Sequence, residues 1–86
     1  MKYEVLLSKR ANRDLDSLGP ALRRRIVLRL EELGEDPFAR GTVKLQGRDN
    51  VYRVRVGDYR ILYEVLSSEK IVLVEKIDHR STIYGP

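Results

Sequence analysis

The segment VYRVRVGDYRILYEVL, residues 51–66, decides the fold that this sequence predicts. Apolar and polar residues alternate on both sides of the dipeptide Gly57-Asp58, which is typical of two antiparallel strands joined by a two-residue turn. With such a turn, Arg55 lies directly opposite Arg60, and opposed residues point to the same side of a sheet. The segment therefore predicts a β-hairpin with two chemically different faces.

The two faces of this hairpin differ in charge. The face expected to pack in a core carries Tyr52, Val54, Val56, Tyr59, Ile61, Tyr63 and Val65. The other face carries Arg53, Arg55, Arg60, Leu62 and Glu64. Like charges directly opposite each other destabilise a sheet, so the arginines favour an anion site that a phosphate would neutralise. The alternative is that Glu64 and nearby acids neutralise them on a solvated face.

The residues before the hairpin predict one strand and two helices. Residues 2–7 form a short strand, and Ser8 suits a helix N-cap. Apolar residues then recur at helical spacing, broken by Gly19-Pro20, where the proline can open a second helix. Gly34 is expected to cap the end of that helix.

After the hairpin, the apolar run at residues 71–74 is typical of a central strand. The element order is β-α-α-β-β-β. We therefore expect a single α+β domain over residues 1–86, with a helical hairpin packed on one face of a small, mainly antiparallel sheet. The opposite face stays open and carries the arginines.

The composition restricts the chemistry. The chain has 17 Lys and Arg against 13 Asp and Glu, a net charge of +4, and twelve of its bases are arginine. Arginine grips phosphate with a planar fork and stacks on bases, which favours a nucleic-acid partner, although +4 also suits simple solubility. One histidine and no cysteine exclude a disulfide framework and a cysteine or two-histidine metal site, so we expect no cofactor. Without an apolar run of about 18 residues, we expect a cytoplasmic protein that does not enter a membrane.

The tail after the last predicted strand adds two candidate site residues. Arg80 can approach the rim of the arginine face, and Tyr84 can stack on a base or assist proton transfer. The alternative for Tyr84 is that it packs the tail against the sheet. His79 alternates away from Arg80 and is expected to be structural, and residues 23–25, a run of three arginines, are expected to form a solvated helix face.

Two segments carry a resemblance to a known family. The segment YRVRVGDYRILYEV at 52–65, the segment DHRSTIY at 78–84 and the element order together resemble the RelE branch of the RelE/ParE toxins. The resemblance covers essentially the whole chain. It implies a ribosome-dependent mRNA endonuclease that is inhibited by a cognate RelB-like antitoxin on a separate chain. ParE-type members share the fold and poison DNA gyrase.

The resemblance also assigns site residues by position. The family's basic pair falls on Arg53 and Arg55, its next two arginines fall on Arg60 and Arg80, and its terminal catalytic tyrosine falls on Tyr84. Well-studied RelE members carry lysines where this chain has the first two arginines. A lysine can lose its proton when its pKa is lowered, whereas arginine stays charged, so the general base is not assigned.

The leading interpretation is therefore an mRNA-cleaving toxin that acts without metal on mRNA in the ribosomal A site. The alternatives are a ParE-like gyrase inhibitor that acts by binding, and a non-catalytic RNA-binding module. Arg60 and Arg80 are both expected to point away from the helices. Their replacement by alanine is then expected to change the free energy of unfolding by no more than about 0.5 kcal/mol.

Overall fold

The computed structural model describes residues 2–79, which form five strands and two helices. In chain order they are β1 (Glu4–Leu7), α1 (Lys9–Asp16), α2 (Pro20–Glu35), β2 (Val43–Lys44), β3 (Val51–Val56), β4 (Tyr59–Leu66) and β5 (Ile71–His79). The predicted order is confirmed, with the two-residue strand β2 as an addition. The predicted site residues Arg80 and Tyr84 lie outside the described residues.

The strands form one sheet in the order β1-β5-β4-β3-β2. Strand β1 runs parallel to β5, and the other neighbouring pairs are antiparallel. Both helices contribute to the core on one side of this sheet, which confirms the α+β class; among residues 2–79, no helix contributes a core on the other side, which we call the open side. No helix within residues 2–79 is long and apolar enough to cross a membrane.

The hairpin of β3 and β4 has the predicted register. Arg55 pairs with Arg60, and Val54 pairs with Ile61. Gly57 has a φ of 59°, a left-handed conformation that glycine adopts at little cost. The turn chemistry therefore fixes which residues share each face.

The helix ends are partly as predicted. Ser8 caps α1, because its hydroxyl oxygen accepts the N–H of Ala11 at 3.0 Å, and α2 begins at Pro20. The expectation that Gly34 ends α2 is wrong. The helix continues through Gly34, which is buried, and the Gly34 carbonyl accepts the N–H of Tyr3 at 2.8 Å. The last turn of α2 is thus bonded to the backbone that leads into β1.

The core lies between the helices and the sheet. Its helical members are Ala11, Leu18, Ile26, Leu30 and Leu33, and its strand members are Val54, Val56, Ile61, Tyr63, Val65, Val72, Val74 and Ile77. Tyr63 is fully buried, and its hydroxyl donates to the carbonyl of Pro37 at 2.6 Å. This bond ties the segment after α2 to the middle of the sheet.

Tyr63 should make the protein sensitive to alkaline pH. Burial raises the pKa of Tyr63 to about 12, against about 10 in an unfolded chain. The stability linked to this raised pKa is complete below about pH 10 and is lost as the pH rises through about 12. We expect Tyr63→Phe to lower the free energy of unfolding by about 1–3 kcal/mol at neutral pH, because the Pro37 carbonyl loses its buried donor. The variant should also lose less of its remaining stability than the wild type between about pH 10 and 12, because phenylalanine does not ionise. Urea unfolding from about pH 8 to 12 measures both effects. If the free energy of unfolding falls with pH equally in the variant and the wild type, the alkaline sensitivity does not come from Tyr63.

Candidate functional site

The open side of the sheet brings together three of the predicted site residues. Arg53 and Arg55 come from β3 and Arg60 from β4, all on the side opposite the core residues Val54 and Ile61. Arg55 is exposed and Arg53 is half-buried. The predicted arginine face is therefore present within the described residues.

Arg60 lies on the predicted face, but its expected exposure is wrong. The residue is only 7% exposed. On one side Arg60 pairs with Arg55 of β3, and on the other it pairs with Asp78 of β5. Because the side chain is buried, replacing it cannot be treated as an exposed substitution.

Asp78 carries a buried carboxylate on the open side of the sheet, and it was not among the predicted site residues. It is 7% exposed, and its Oδ1 accepts from Nη2 of Arg10 at 2.6 Å. Nζ of Lys76 lies 3.8 Å from Oδ2, and Arg60 is the cross-strand neighbour. One buried carboxylate therefore has three basic residues around it.

A β-bulge puts Asp78 on the open side. The register of β4 against β5 shifts between Leu62 and Tyr63, so that Tyr63 pairs with Val74 while Leu62 pairs with Lys76. Glu75 is the extra residue. Without this bulge, strict alternation from Val74 would turn Asp78 into the core. The bulge thus places the carboxylate beside Arg60.

Helix α1 closes the edge of β5 beyond the end of β1. Strand β1 pairs with β5 only as far as Val74. Further along, Oδ2 of Asp14 accepts the N–H of Ile77 at 2.9 Å. The open edge of a strand can pair with a strand of another chain. By accepting the N–H of Ile77, the Asp14 side chain prevents such pairing at this point of β5. The same contact holds α1 where Arg10 can reach Asp78.

Two other acids, Glu75 and Glu64, interact with Arg48, which is not one of the predicted arginines. Both guanidinium nitrogens Nη1 and Nη2 of Arg48 bond the carboxylate of Glu75, at 3.0 and 2.9 Å. This carboxylate, with a smaller electrostatic contribution from Glu64, raises the pKa of Arg48 above its usual value. Glu64 therefore interacts with Arg48, whereas Asp78 lies beside Arg60. Of the acids in the alternative, it is Asp78 that is placed to neutralise an arginine of this face.

The arginines line a cleft of about 360 Å³ at the edge of β3. Its lining residues are Arg29, Gly41, Val43, Arg53, Val54, Arg55 and Arg60, and we call it the arginine cleft. Strand β2 pairs with β3 only at Tyr52 and Arg53, so the cleft opens where β3 continues without β2. Among the residues that the structure describes, the lining contains four arginines and no acid. Such a site suits an anion with several oxygens.

Arg29 is the arginine-cleft residue that the sequence did not indicate. It lies on α2, and its Nη1 contacts Oε1 of Glu32 at 2.9 Å while its Nη2 donates to the carbonyl of Arg40. The helical pattern shows only that Arg29 avoids the core face. Arg29 lies beside β3 and β4 because of the way α2 is oriented on the sheet. The helical pattern of the sequence does not give that orientation.

The helix arginines at 23–25 and His79 lie outside the arginine cleft. The arginines at 23–25 are exposed as predicted, but Nη2 of Arg23 donates to the carbonyl of Asp16 at 2.9 Å and so binds the end of α1. Arg24 is exposed and does not line the arginine cleft. The ring of His79 packs edge-on against Tyr59 at 5.2 Å, in agreement with a structural role.

Nothing in the arrangement of residues 2–79 resembles a metal centre. That range has no group of three or more His, Cys, Asp or Glu side chains that could hold a metal ion. The concentrated charge of the open side is guanidinium, which binds oxyanions and stabilises negative charge that develops on them. The described residues thus form a small α+β protein with a guanidinium-rich sheet face, a chemistry that suits oxyanions.

Comparison with known proteins identifies this class. A family model described as the ParE toxin of type II toxin–antitoxin system, parDE, matches residues 5–84. The chain belongs to the RelE/ParE superfamily, as a type II toxin of its RelE family.

Its relatives cover nearly the whole chain. The toxin RelE3 of Methanocaldococcus jannaschii is 33% identical, over 94% of each chain. A structure of the archaeal RelE–RelB complex from Pyrococcus horikoshii matches with a TM-score of 0.83 and 33% identity, over 93% of this chain and 97% of that one. A variant of the E. coli toxin RelE bound to a peptide of its antitoxin matches with a TM-score of 0.81 and 26% identity, over 98% and 92%.

Proposed function

We propose that this toxin is a metal-independent endoribonuclease that cuts mRNA in the ribosomal A site. The arginine cleft carries the proposal, because four guanidinium groups with no lining acid form a ready site for a phosphodiester. Membership of the RelE family supports the same class of activity. Arg55 and Arg60 face each other as like charges, and a phosphate between them would remove their repulsion.

RNA supplies its own nucleophile in this mechanism. The 2′-oxygen attacks the adjacent phosphorus as its proton leaves, the bond to the 5′-oxygen breaks, and that oxygen takes up a proton. The products are a 2′,3′-cyclic phosphate and a free 5′-hydroxyl. The protein must therefore orient the strand, stabilise the charge on the phosphorane and provide for the two proton transfers.

The residues divide this work by position. Arg60, together with Arg80, would clamp the reacting phosphate, and Arg53 and Arg55 would hold neighbouring phosphates or the transition state. Tyr84 would stack on a base or assist proton transfer. Arginine keeps its protons at working pH, so the arginine cleft provides charge and orientation, while the ribosome would supply much of the alignment of the strand.

The proposed partner that controls this activity is a RelB-like antitoxin on a separate chain. RelE relatives have been crystallised with RelB, including the Pyrococcus horikoshii complex. The basic open side of the sheet suits an acidic segment that covers or distorts the arginine face. Binding there would block the route of the RNA.

A second candidate is a ParE-like inhibitor of DNA gyrase that acts by binding. The description of the matching family model, the ParE toxin, favours it. A gyrase inhibitor of this kind would not require a cleft with four arginines. The two candidates differ in which polymer is affected, the mRNA or the supercoiled DNA.

One experiment separates the candidates. The purified protein is added to a translation reaction that contains a defined mRNA, and 5′ ends are mapped, while a gyrase supercoiling reaction runs in parallel. We expect site-specific cuts that the cognate antitoxin suppresses, and normal supercoiling. Intact mRNA with inhibited supercoiling would establish the gyrase candidate. Intact mRNA, normal supercoiling and bound RNA would indicate a non-catalytic RNA-binding module.

A further inference from the structure

Arg29 is the member of the arginine cleft that has no role in the proposed chemistry. The other three arginines come from β3 and β4, whereas Arg29 reaches the cleft from α2. It lies at the outer edge, next to Gly41 and past the end of the β2–β3 pairing. The arginine cleft is thus lined by arginines from the sheet on one side and by an arginine from α2 on the other.

The side chain of Arg29 is held in place before any ligand arrives. Glu32 and the Arg40 carbonyl fix two of its nitrogens, and the side chain is 19% exposed. Gly41 has a φ of 90°, and a Cβ there would lie 3.3 Å from Nη2 of Arg29. Guanidinium has five N–H donors, so these contacts leave donors for a ligand in the cleft. A donor fixed in this way loses little entropy when it binds.

The cleft extends across more than one strand. Neighbouring strands lie about 4.8 Å apart, so the backbone step from Arg60 on β4 across β3 to the place that β2 leaves open spans roughly 10 Å. A single-stranded RNA, which carries a phosphate on every nucleotide, can place one phosphate near each end of that step.

We infer that Arg29 binds a second phosphate of the RNA strand, next to the one that reacts at Arg60. This inference rests on the proposed function, because it assumes that RNA enters the arginine cleft. Arg29 then acts as a substrate-positioning residue that fixes the register of the strand. Glu32, which shares the guanidinium, competes weakly with that phosphate.

The test measures RNA binding by the full chain separately from cleavage. The probe is a fluorescent 2′-O-methyl hexanucleotide, which cannot be cut because its nucleophile is blocked. Its affinity is measured by anisotropy from about 50 to 200 mM NaCl, because each phosphate contact in a single strand contributes about 0.7 to the salt slope. We expect Arg29→Gln to weaken binding about tenfold and to lower the slope by about 0.7.

Three further variants make the result specific. Arg24→Gln removes the same charge from an exposed position of the same helix and should change neither the affinity nor the slope. Arg29→Lys should restore the slope but not the full affinity, because lysine keeps the charge and loses the fork. Glu32→Gln should tighten binding severalfold, and since Glu32 is 64% exposed this variant should fold even if Arg29→Gln does not.

Two results would overturn the inference: an unchanged salt slope in Arg29→Gln, or unchanged binding in Glu32→Gln. The cleavage reaction keeps the two proposals apart. A wild-type protein that cuts mRNA while Arg29→Gln keeps its salt slope refutes the role of Arg29 only. A wild-type protein whose salt slope depends on Arg29 but which cuts no mRNA refutes the nuclease only.

Discussion

Arg55→Ala should slow single-turnover cleavage of mRNA on the ribosome by about 10²–10³-fold, the usual loss for one preorganised electrostatic group. The variant should melt close to the wild-type temperature. Arg55 is exposed and lies opposite Arg60, so its removal takes no contact from the core and relieves a like-charge pair. Exposed substitutions usually change the free energy of unfolding by no more than about 0.5 kcal/mol.

The matched control is Arg24→Ala, which removes an exposed arginine from α2 outside the arginine cleft. It should retain full cleavage. Arg60→Ala is a poorer probe, because its 7% exposure means that a loss of stability accompanies the loss of activity. An Arg55→Ala protein that cleaves at the wild-type rate, or that loses activity only in proportion to its melting, would remove Arg55 from the site.

Asp78→Ala should lower the free energy of unfolding by about 3–5 kcal/mol, the usual cost of removing one partner from a buried ionic cluster. Asp78 and Arg60 are each 7% exposed and are cross-strand neighbours. Arg10 and Lys76 can turn to water because their side chains are 53% and 34% exposed. Arg60 is buried, so the change removes a negative charge from beside a guanidinium that cannot turn to water. Urea unfolding at neutral pH measures the loss.

The double variant Asp78→Ala/Arg60→Ala tests this reason. If the two side chains stabilise each other, the double variant should lose less stability than the sum of the single variants, by about 1–3 kcal/mol. Strict additivity would show that Asp78 acts through Arg10 and Lys76 rather than through Arg60, since Nη2 of Arg10 lies 2.6 Å from Oδ1 and Nζ of Lys76 lies 3.8 Å from Oδ2. Asp78→Asn, which keeps the shape, separates the charge from the packing.

The hairpin and its arginine face could be predicted because they depend on residues close in sequence. Gly57 and Asp58 fix the turn, and alternation on either side then fixes the faces. The N-cap at Ser8 and the start of α2 at Pro20 are equally local. Each of these features depends on a few consecutive residues, and the structure confirms them.

The other features depend on contacts between distant parts of the chain. Strand β2 has two residues, too few to show a period, and forms only against Tyr52 and Arg53. The position of Asp78 beside Arg60 depends on β5, whose bulge at Glu75 changes the facing of residues 76–79. Arg29 joins the cleft only through the packing of α2 against the sheet. No local pattern contains this information.

The order of the strands also restricts when the toxin can become active during its synthesis. The first strand, β1, pairs with β5, the last of the described strands, and β5 also pairs with β4. Contacts between residues so far apart form late and slowly. Every arginine of the arginine cleft leaves the ribosome before Asp78, the residue that lies beside Arg60. A nascent chain therefore carries all four arginines of the cleft without the folded sheet that arranges them, and the site is completed only after β5 has been made.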